Sequence, residues 1–360
     1  MEELENKTVA ESIENRRCDT PSLNEAEDRT VVEDMRQNVW STSHSFANRI
    51  AASDAEYWTA EFLADRLECA ADDVFVEQFG VRPLAYDGWK IISATFMILA
   101  YATYYFSCFV SVLLTMCAII PFVGHILFCG RMFDGLYPEK SSQNVFAIKR
   151  ASGEKNKRIY LVAHIDNPSE RIIEKIFGER AEKIFEYIFV VFMPIMFVLG
   201  ISRWAVVGEL GTELANGTML YLGVAATVFL PFVLAQFFSI NGRRASSRKD
   251  NLMTCEIAIK AFEELKEAGR EHCEIGVLLM GSGEIGAQGA KAWIKAHIDE
   301  IDKENSLFLC LDAVEANAFA KAGFKVKDLL ASSGQKFNDT LDDEELRKSL
   351  EFVVKAVDNC

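Results

Sequence analysis

Long runs of apolar residues divide this sequence into membrane-type and water-soluble stretches. No charged residue lies between Lys90 and Arg131, a run of about 40 positions, whereas a helix needs about 20 residues to cross a hydrocarbon core. This run predicts two spanning helices joined by a tight turn, at about 91–131. A second apolar block from Ile184 to Ile240 is divided by an acidic, glycine-containing stretch near 209–217. It predicts a second helical hairpin, because core helices of soluble proteins rarely stay apolar on every face for this length.

Basic residues flank the predicted spans on one side of the membrane. The loop between the third and fourth spans instead carries Glu209 and Glu213, with Arg203 as the exception. By the positive-inside rule, the soluble segments are expected to face the cytoplasm. We therefore predict a multi-pass integral membrane protein embedded in a lipid bilayer. The flanking basic residues are Lys90, Arg131, Lys140, Arg180, Lys183, Arg243, Arg244, Arg248 and Lys249.

The polar segments between the spans predict one α/β domain built from separate pieces. An even number of crossings places all the pieces on the same side of the membrane. In the last piece a helical stripe (Cys255 to Leu265), a strand (Ile275 to Met280), a glycine-rich turn, a second helix and a second strand (Leu307 to Leu311) alternate. The predicted organisation is an acidic, disordered segment at 1–54, domain pieces at 55–90, 132–183 and 241–360, and hairpins at 91–131 and 184–240.

Composition narrows the function classes. The formal net charge is −15, so nucleic acid is not an expected partner, because phosphate binding requires clustered Lys and Arg. The nine cysteines are scattered without a CxxC pair, which favours a reducing compartment. The sequence begins without a basic-then-apolar secretory signal, so targeting is expected to be internal.

Potential metal ligands stand where predicted strands end or helices begin. They are His164 with Asp166, then Asp250, Glu284 and Asp312. One imidazole and several carboxylates suit zinc or a related divalent ion, and a carboxylate can bridge two ions. Each residue also has an ordinary structural explanation: a carboxylate at a helix start is often a cap, and a buried histidine is often a satisfied core residue.

The order of these residues resembles the dinuclear-zinc aminopeptidase and glutamate carboxypeptidase family of metallopeptidases. Leu161-Val-Ala-His-Ile-Asp166 is similar to the family's strand ending in H-x-D, Asp250-Asn251 to its helix start, and the stretch from Leu278 to Ala290 to its strand and small-residue turn. Leu311-Asp312 matches the next ligand. The resemblance covers about 55–90, 140–166 and 245–355, and the spans are insertions.

This resemblance implies a mixed sheet with flanking helices, one or two zinc ions and aminopeptidase-type hydrolysis of a peptide or aminoacyl substrate. It implies metal ligation by His164, Asp250, Glu284 and Asp312, with Asp250 bridging the ions. Asp166 is implied to orient the histidine from the second shell.

Two positions depart from the family pattern. Where the family has Glu-Glu, this chain has Gly283-Glu284, and the first of those glutamates is the family's general base. The family's final histidine ligand is expected after Asp312, but no His follows it before Cys360. A chain that continues beyond Cys360 and a lost ligand are both open explanations. A catalytically inactive, hydrolase-like membrane scaffold is therefore the alternative to an active metallopeptidase.

A second alternative comes from the turn at Gly281-Ser-Gly-Glu-Ile-Gly286, which spells GxGxxG between a strand and a helix. That context is typical of a dinucleotide-binding motif and would indicate an NAD-linked membrane oxidoreductase. Glu284 opposes this interpretation, because a carboxylate there would lie beside the pyrophosphate.

Overall fold

The computed structural model describes residues 28–127, 134–153, 157–207, 213–238, 251–265, 273–329 and 343–358. The predicted ligand Asp250 and the acidic residues 1–27 lie outside these ranges. Two compact units form. The first combines described residues of the segments 1–81, 140–168 and 245–360, and the second combines those of 82–139 and 169–244.

The strands are β1 (Asp73–Val81), β2 (Lys140–Lys149), β3 (Lys157–His164), β4 (Cys273–Met280), β5 (Ser306–Cys310) and β6 (Lys325–Asp328). The helices are α1 (Asp28–Ser45), α2 (Asp54–Glu68), α3 (Pro83–Tyr104), α4 (Cys108–Leu127), α5 (Ile172–Phe177), α6 (Glu179–Ala205), α7 (Glu213–Ala225), α8 (Leu230–Ala235), α9 (Leu252–Glu264), α10 (Gln288–His297), α11 (Ala313–Lys321) and α12 (Asp343–Asp358).

The first unit is built on a mixed sheet with the strand order β1-β2-β4-β3-β5-β6. β1 and β2 run antiparallel to their neighbours, whereas β3 is parallel to both β4 and β5. Val162 is paired with Leu278 on one side and with Cys310 on the other, so these three strands end at the same edge of the sheet. The predicted α/β class, with a mixed sheet and flanking helices, is confirmed.

Helices cover both faces of this sheet. Side chains alternate along β3, so that Leu161 packs into a core with α9, whereas Tyr160 packs into a second core with Trp293 of α10 and Phe308. The first core also receives residues of α1, α2 and α12, and the second receives residues of α11. The result is a three-layer arrangement in which β3 and β4 are buried.

Helix α1 corrects the prediction of a disordered segment at 1–54 for residues 28–45 only, because residues 1–27 lie outside the described ranges. Val32, Met35 and Val39 recur at helical spacing and are buried against the first core. Asn38 on the same helix donates a hydrogen bond to Glu256 of α9, which also forms a two-point ion pair with Arg66 of α2. The acidic residues between these apolar positions remain on the solvent side, so high charge did not prevent folding.

The described part of the second unit is helical, and three stretches within it are long and apolar enough to cross a membrane. These are Cys108–Leu127, Arg180–Ala205 and Asn216–Phe238, of which the last includes 3-10 segments. On α4 the exposed residues Phe109, Leu113, Met116, Ile120, Val123 and Leu127 form one apolar stripe. Such an exposed stripe is typical of a helix that faces lipid.

Helix α3 is not among these three stretches, although the sequence predicted four spans. It begins at Pro83, before the predicted start of the span, and therefore includes Asp87 and Lys90. Lys90 is buried and lies 3.1 Å from Glu186 and 3.2 Å from Asp87. Four spans and a cytoplasmic soluble part remain predictions.

Cys69 is disulfide-bonded, which differs from the expectation of reduced cysteines.

Candidate metal site at the sheet edge

The candidate site lies where β3, β4 and β5 end. His164 is the last residue of β3, the turn Gly281 to Glu284 follows β4, and Asp312 follows β5 and caps α11. Because parallel neighbours end at one edge, residues that are far apart in the sequence converge there. The structure thus brings together three of the predicted ligands, namely His164, Glu284 and Asp312.

His164 is buried between two carboxylates. Its Nδ1 atom lies 3.3 Å from Glu315 Oε2 and its Nε2 atom lies 3.4 Å from Glu284 Oε1. Neither ring nitrogen makes a hydrogen bond with a described residue. Burial opposes the charged imidazole, but Glu315 and Glu284 outweigh it and raise the pKa of His164 well above its ordinary value.

Asp312 and Glu315 enter the site from the start of α11. Asp312 is the N-cap residue, and its Oδ1 atom accepts a hydrogen bond from the Val314 amide at 2.7 Å. Burial raises the pKa of the Asp312 carboxyl. Glu315 is fully buried, and neither of its carboxylate oxygens has a hydrogen-bond partner among the described residues. One ligand atom each of His164, Asp312 and Glu315 lie within 4.8 Å of one another.

Gly283 lies against this group. A Cβ atom at position 283 would lie 2.6 Å from Glu315 Oε1 and 2.7 Å from His164 Cβ, both shorter than real Cβ contacts. The position at which the resemblance expected a general base therefore has no room for a side chain. The Glu315 carboxylate fills part of that space.

Asp166 does not orient His164, contrary to the role that the resemblance implied. Its carboxylate accepts hydrogen bonds from the amides of Gly283 at 2.6 Å and Glu284 at 3.1 Å. Burial, together with the nearby Glu56, raises the pKa of Asp166 well above its ordinary value. Asp166 therefore fixes the turn after β4 rather than the imidazole.

Glu56 of α2 also supports this turn, a role that no sequence pattern indicates. Its carboxylate accepts hydrogen bonds from the amides of Ser282 at 2.5 Å and Ala52 at 2.6 Å, and from Ser142 Oγ at 3.0 Å. Burial raises the pKa of Glu56 to about 7, against the lowering effect of these hydrogen bonds. Ser282 is held at a positive φ of 53°.

Glu284 is partly exposed, with 32% of its side chain accessible. Its Oε1 atom accepts a hydrogen bond from Asn251 Nδ2 at 2.9 Å, and the same amide group donates to the Asp166 carbonyl at 2.7 Å. Asn251 thus ties the start of α9 to the site. Asp250 lies outside the described residues, so its bridging role stays a prediction.

The amides of the GxGxxG turn are already bound within the protein. Those of Ser282, Gly283 and Glu284 donate to the carboxylates of Glu56 and Asp166. A dinucleotide site needs such amides to face the pyrophosphate. Gly281 and Gly289 pack closely against backbone and side chains of the first unit, which explains both glycines without a ligand.

The donor set fits a divalent metal ion. One imidazole with carboxylates is a common zinc set, and buried polar atoms without partners are expected where a bound ion would satisfy them. Glu315 was not among the predicted ligands. Asp312-x-x-Glu315 has the spacing of a helix capping box, and that ordinary explanation gives no sign that the Glu315 carboxylate lies in the site.

No protein-family model matches this sequence, and no curated protein matches it. Solved structures with a similar fold include the zinc aminopeptidase BSAP from Bacillus subtilis, with 12% identity, a TM-score of 0.45 and coverage of 91% of this chain and 94% of that chain. An aminopeptidase from Aneurinibacillus sp. strain AM-1 has 9% identity, a TM-score of 0.45 and coverage of 91% and 93%. A glutaminyl cyclase from Fimbriiglobus ruber has 8% identity, a TM-score of 0.46 and coverage of 94% and 95%. These likenesses concern the fold alone, and the function is argued from the site.

Proposed function

We propose that this protein is a membrane-anchored, zinc-dependent hydrolase of the aminopeptidase type, which acts on a peptide or aminoacyl substrate near its free N-terminus. The observation that carries the proposal is the environment of His164. Its ring nitrogens lie 3.3 and 3.4 Å from carboxylates and make no hydrogen bond with the residues that the structure describes, at the edge where three parallel strands end. A buried imidazole in such surroundings is a preorganised metal ligand.

The side chains have separable tasks in this proposal. His164 and Asp312 bind the ion, with Glu284 as a further predicted ligand. Asp166 and Glu56 hold the turn after β4 through its amides and so fix the direction of the Glu284 side chain. A bound zinc ion would polarise the scissile carbonyl and lower the pKa of a water molecule.

The second candidate function is a metal-binding scaffold without turnover, and Gly283 favours it. No carboxylate extends from position 283 to accept a proton, and a positioned general base contributes a factor of roughly 10²–10⁴ in rate. The dinucleotide hypothesis receives no support from the turn, because protein carboxylates bind its amides.

Metal analysis of the full-length protein purified in detergent tests the proposal. We expect zinc in the wild type and its loss in His164→Ala. His297→Ala is the matched control, because His297 pairs with Glu77 on the surface of the same unit. Wild-type protein that binds no zinc, or zinc binding that is unchanged in His164→Ala, contradicts the proposal. Bound NAD without zinc would instead favour the oxidoreductase.

Turnover and membrane insertion need separate assays. Hydrolysis of aminoacyl reporter substrates by the zinc-loaded protein, abolished in His164→Ala, supports the peptidase, whereas zinc binding without hydrolysis supports the scaffold. For the membrane anchor, we expect the protein to stay with vesicles through an alkaline wash. Release by that wash would contradict spanning helices.

A further inference from the structure

Glu315 is a buried carboxylate whose surroundings do not satisfy it. The side chain is fully buried, and both oxygens lack hydrogen-bond partners among the described residues. A buried ionised group without hydrogen bonds is strongly unfavourable unless a cation compensates it. The side chain that faces Glu315 is the imidazole of His164, with Nδ1 3.3 Å from Glu315 Oε2.

The backbone amide at the start of α11 is a possible hydrogen-bond donor for Glu315, but the Glu315 carboxylate does not bind it. In a capping box, the glutamate three residues after the N-cap reaches back to the N-cap amide. Asp312 caps the helix, because its side chain accepts a hydrogen bond from the amide of Val314, two residues later. Glu315 instead extends its carboxylate into the site, away from the helix end whose amides would stabilise it.

The arrangement is close to that of a coordinated ion. Zinc holds nitrogen and oxygen ligands at about 2.0–2.2 Å, so two ligand atoms of one ion lie no more than about 4.4 Å apart. The ligand atoms of His164, Asp312 and Glu315 already lie within 4.8 Å of one another. Small side-chain movements therefore suffice to bring all three onto one ion.

We propose that Glu315 is the third protein ligand of a single metal ion, bound together with His164 through Nδ1 and with Asp312. The inference rests on the proposed function and replaces part of the ligand set that the resemblance implied. Glu284 then faces Nε2 of the same imidazole, at 3.4 Å, and orients the ring as an outer carboxylate. A glycine at position 283 is needed for this ligand arrangement, since a Cβ there would overlap both His164 and Glu315.

Zinc and cobalt titrations of the full-length protein in detergent separate Glu315 from Glu284. In Glu315→Gln we expect zinc affinity to fall by more than the roughly 10–100-fold that follows loss of an outer partner. Glu284→Gln should stay within that range and keep one equivalent of zinc. The visible spectrum of the cobalt-loaded protein should change in Glu315→Gln and persist in Glu284→Gln.

Folding is checked by thermal melting of each metal-free variant. If Glu315→Gln does not fold, Glu315→Asp retains the charge on a shorter side chain and takes its place. A weaker affinity with an altered cobalt spectrum supports ligation, and an unchanged affinity and spectrum overturn it.

The two proposals fail in different ways. Wild-type protein that binds no zinc removes the proposed function and this inference with it. Wild-type protein that binds zinc, with unchanged binding in Glu315→Gln, overturns the inference alone. More than one equivalent of zinc in the wild type also overturns the single-ion site and leaves the hydrolase proposal standing.

Discussion

Gly283→Ala is the smallest change that tests the packing of the candidate site. It adds one methyl group at the position where the resemblance expected a catalytic glutamate. The new Cβ atom would lie 2.6 Å from Glu315 Oε1, 2.7 Å from His164 Cβ and 2.8 Å from His164 Cγ. All three atoms belong to side chains that we assign to the metal site.

The size of the effect follows from these distances. Ordinary contacts of a Cβ atom begin at 3.4 Å, so His164 and Glu315 must each withdraw by several tenths of an ångström. The backbone of His164 is fixed within β3, and its carbonyl also accepts a hydrogen bond from Cys255 Sγ, so retreat is limited. Overpacking of this kind costs about 1–3 kcal/mol. If this cost destabilises the zinc-bound protein and not the metal-free protein, zinc affinity falls by roughly 5- to 150-fold.

Isothermal titration of zinc into the metal-free protein in detergent measures this loss. Gly135→Ala is the matched control, because its added Cβ meets no atom within 4 Å and should leave zinc affinity unchanged. Gly283→Glu should be worse than Gly283→Ala, since a carboxylate at 283 can enter only by displacing Glu315. Unchanged affinity in Gly283→Ala, or a gain of hydrolysis in Gly283→Glu, would refute this packing argument.

Three further predictions concern stability. The pKa of Glu56 is about 7 in the folded protein against an ordinary 4.5, so its contribution to folding is complete below pH 4.5 and is lost as the pH rises through 7. We expect the wild type to lose about 3 kcal/mol of unfolding free energy between these pH values. Glu56→Gln should lose less across the same range, and part of the slope should remain because burial also raises the pKa of Asp166. The exposed control Glu68→Gln should behave like the wild type, and a wild-type slope in Glu56→Gln would exclude Glu56. Glu256→Ala should cost about 3–5 kcal/mol in denaturant unfolding, because it leaves Arg66 without its partner, and a cost below 1 kcal/mol would show that the pair is dispensable. Chelation of zinc should lower the melting temperature of the wild type but not of His164→Ala, and an equal fall in both would place the ion elsewhere.

The sequence predicts the structure best where a buried apolar strand is followed directly by a potential metal ligand. A buried apolar strand that ends in His164 predicts a polar group at a sheet edge, and the strand before Asp312 does the same. The alternation of strands and helices then predicts that these edges coincide, because parallel neighbours share one direction. These inferences need only residue order, which explains why the sheet and the convergence of His164, Glu284 and Asp312 were predictable.

The errors share a different physical origin. Glu315 has the spacing of a capping box, and spacing does not reveal whether a side chain turns to the backbone or into the site. Asp166 follows the family's H-x-D pattern, yet the turn amides that it binds are set by the tertiary position of β4. Helix α1 was missed because its acidic composition outweighed the spacing of Val32, Met35 and Val39. Tertiary context decided each case.

The buried acids of the first unit differ in the hydrogen bonds that they accept. This difference separates the acids that stabilise the turn after β4 from the acid that we propose as a metal ligand. Glu56 and Asp166 accept hydrogen bonds from amides of the turn after β4, and Glu56 also accepts one from the Ala52 amide, so the protein itself offsets part of the cost of their burial. Glu315 is buried just as deeply, but neither of its oxygens has a hydrogen-bond donor among the described residues, and its Oε2 atom lies 3.3 Å from His164 Nδ1. Because a buried carboxylate without hydrogen bonds is unfavourable, a bound cation would stabilise Glu315. Glu56 and Asp166 thus hold the turn in place through its amides, whereas Glu315 is the acid that we propose as a metal ligand.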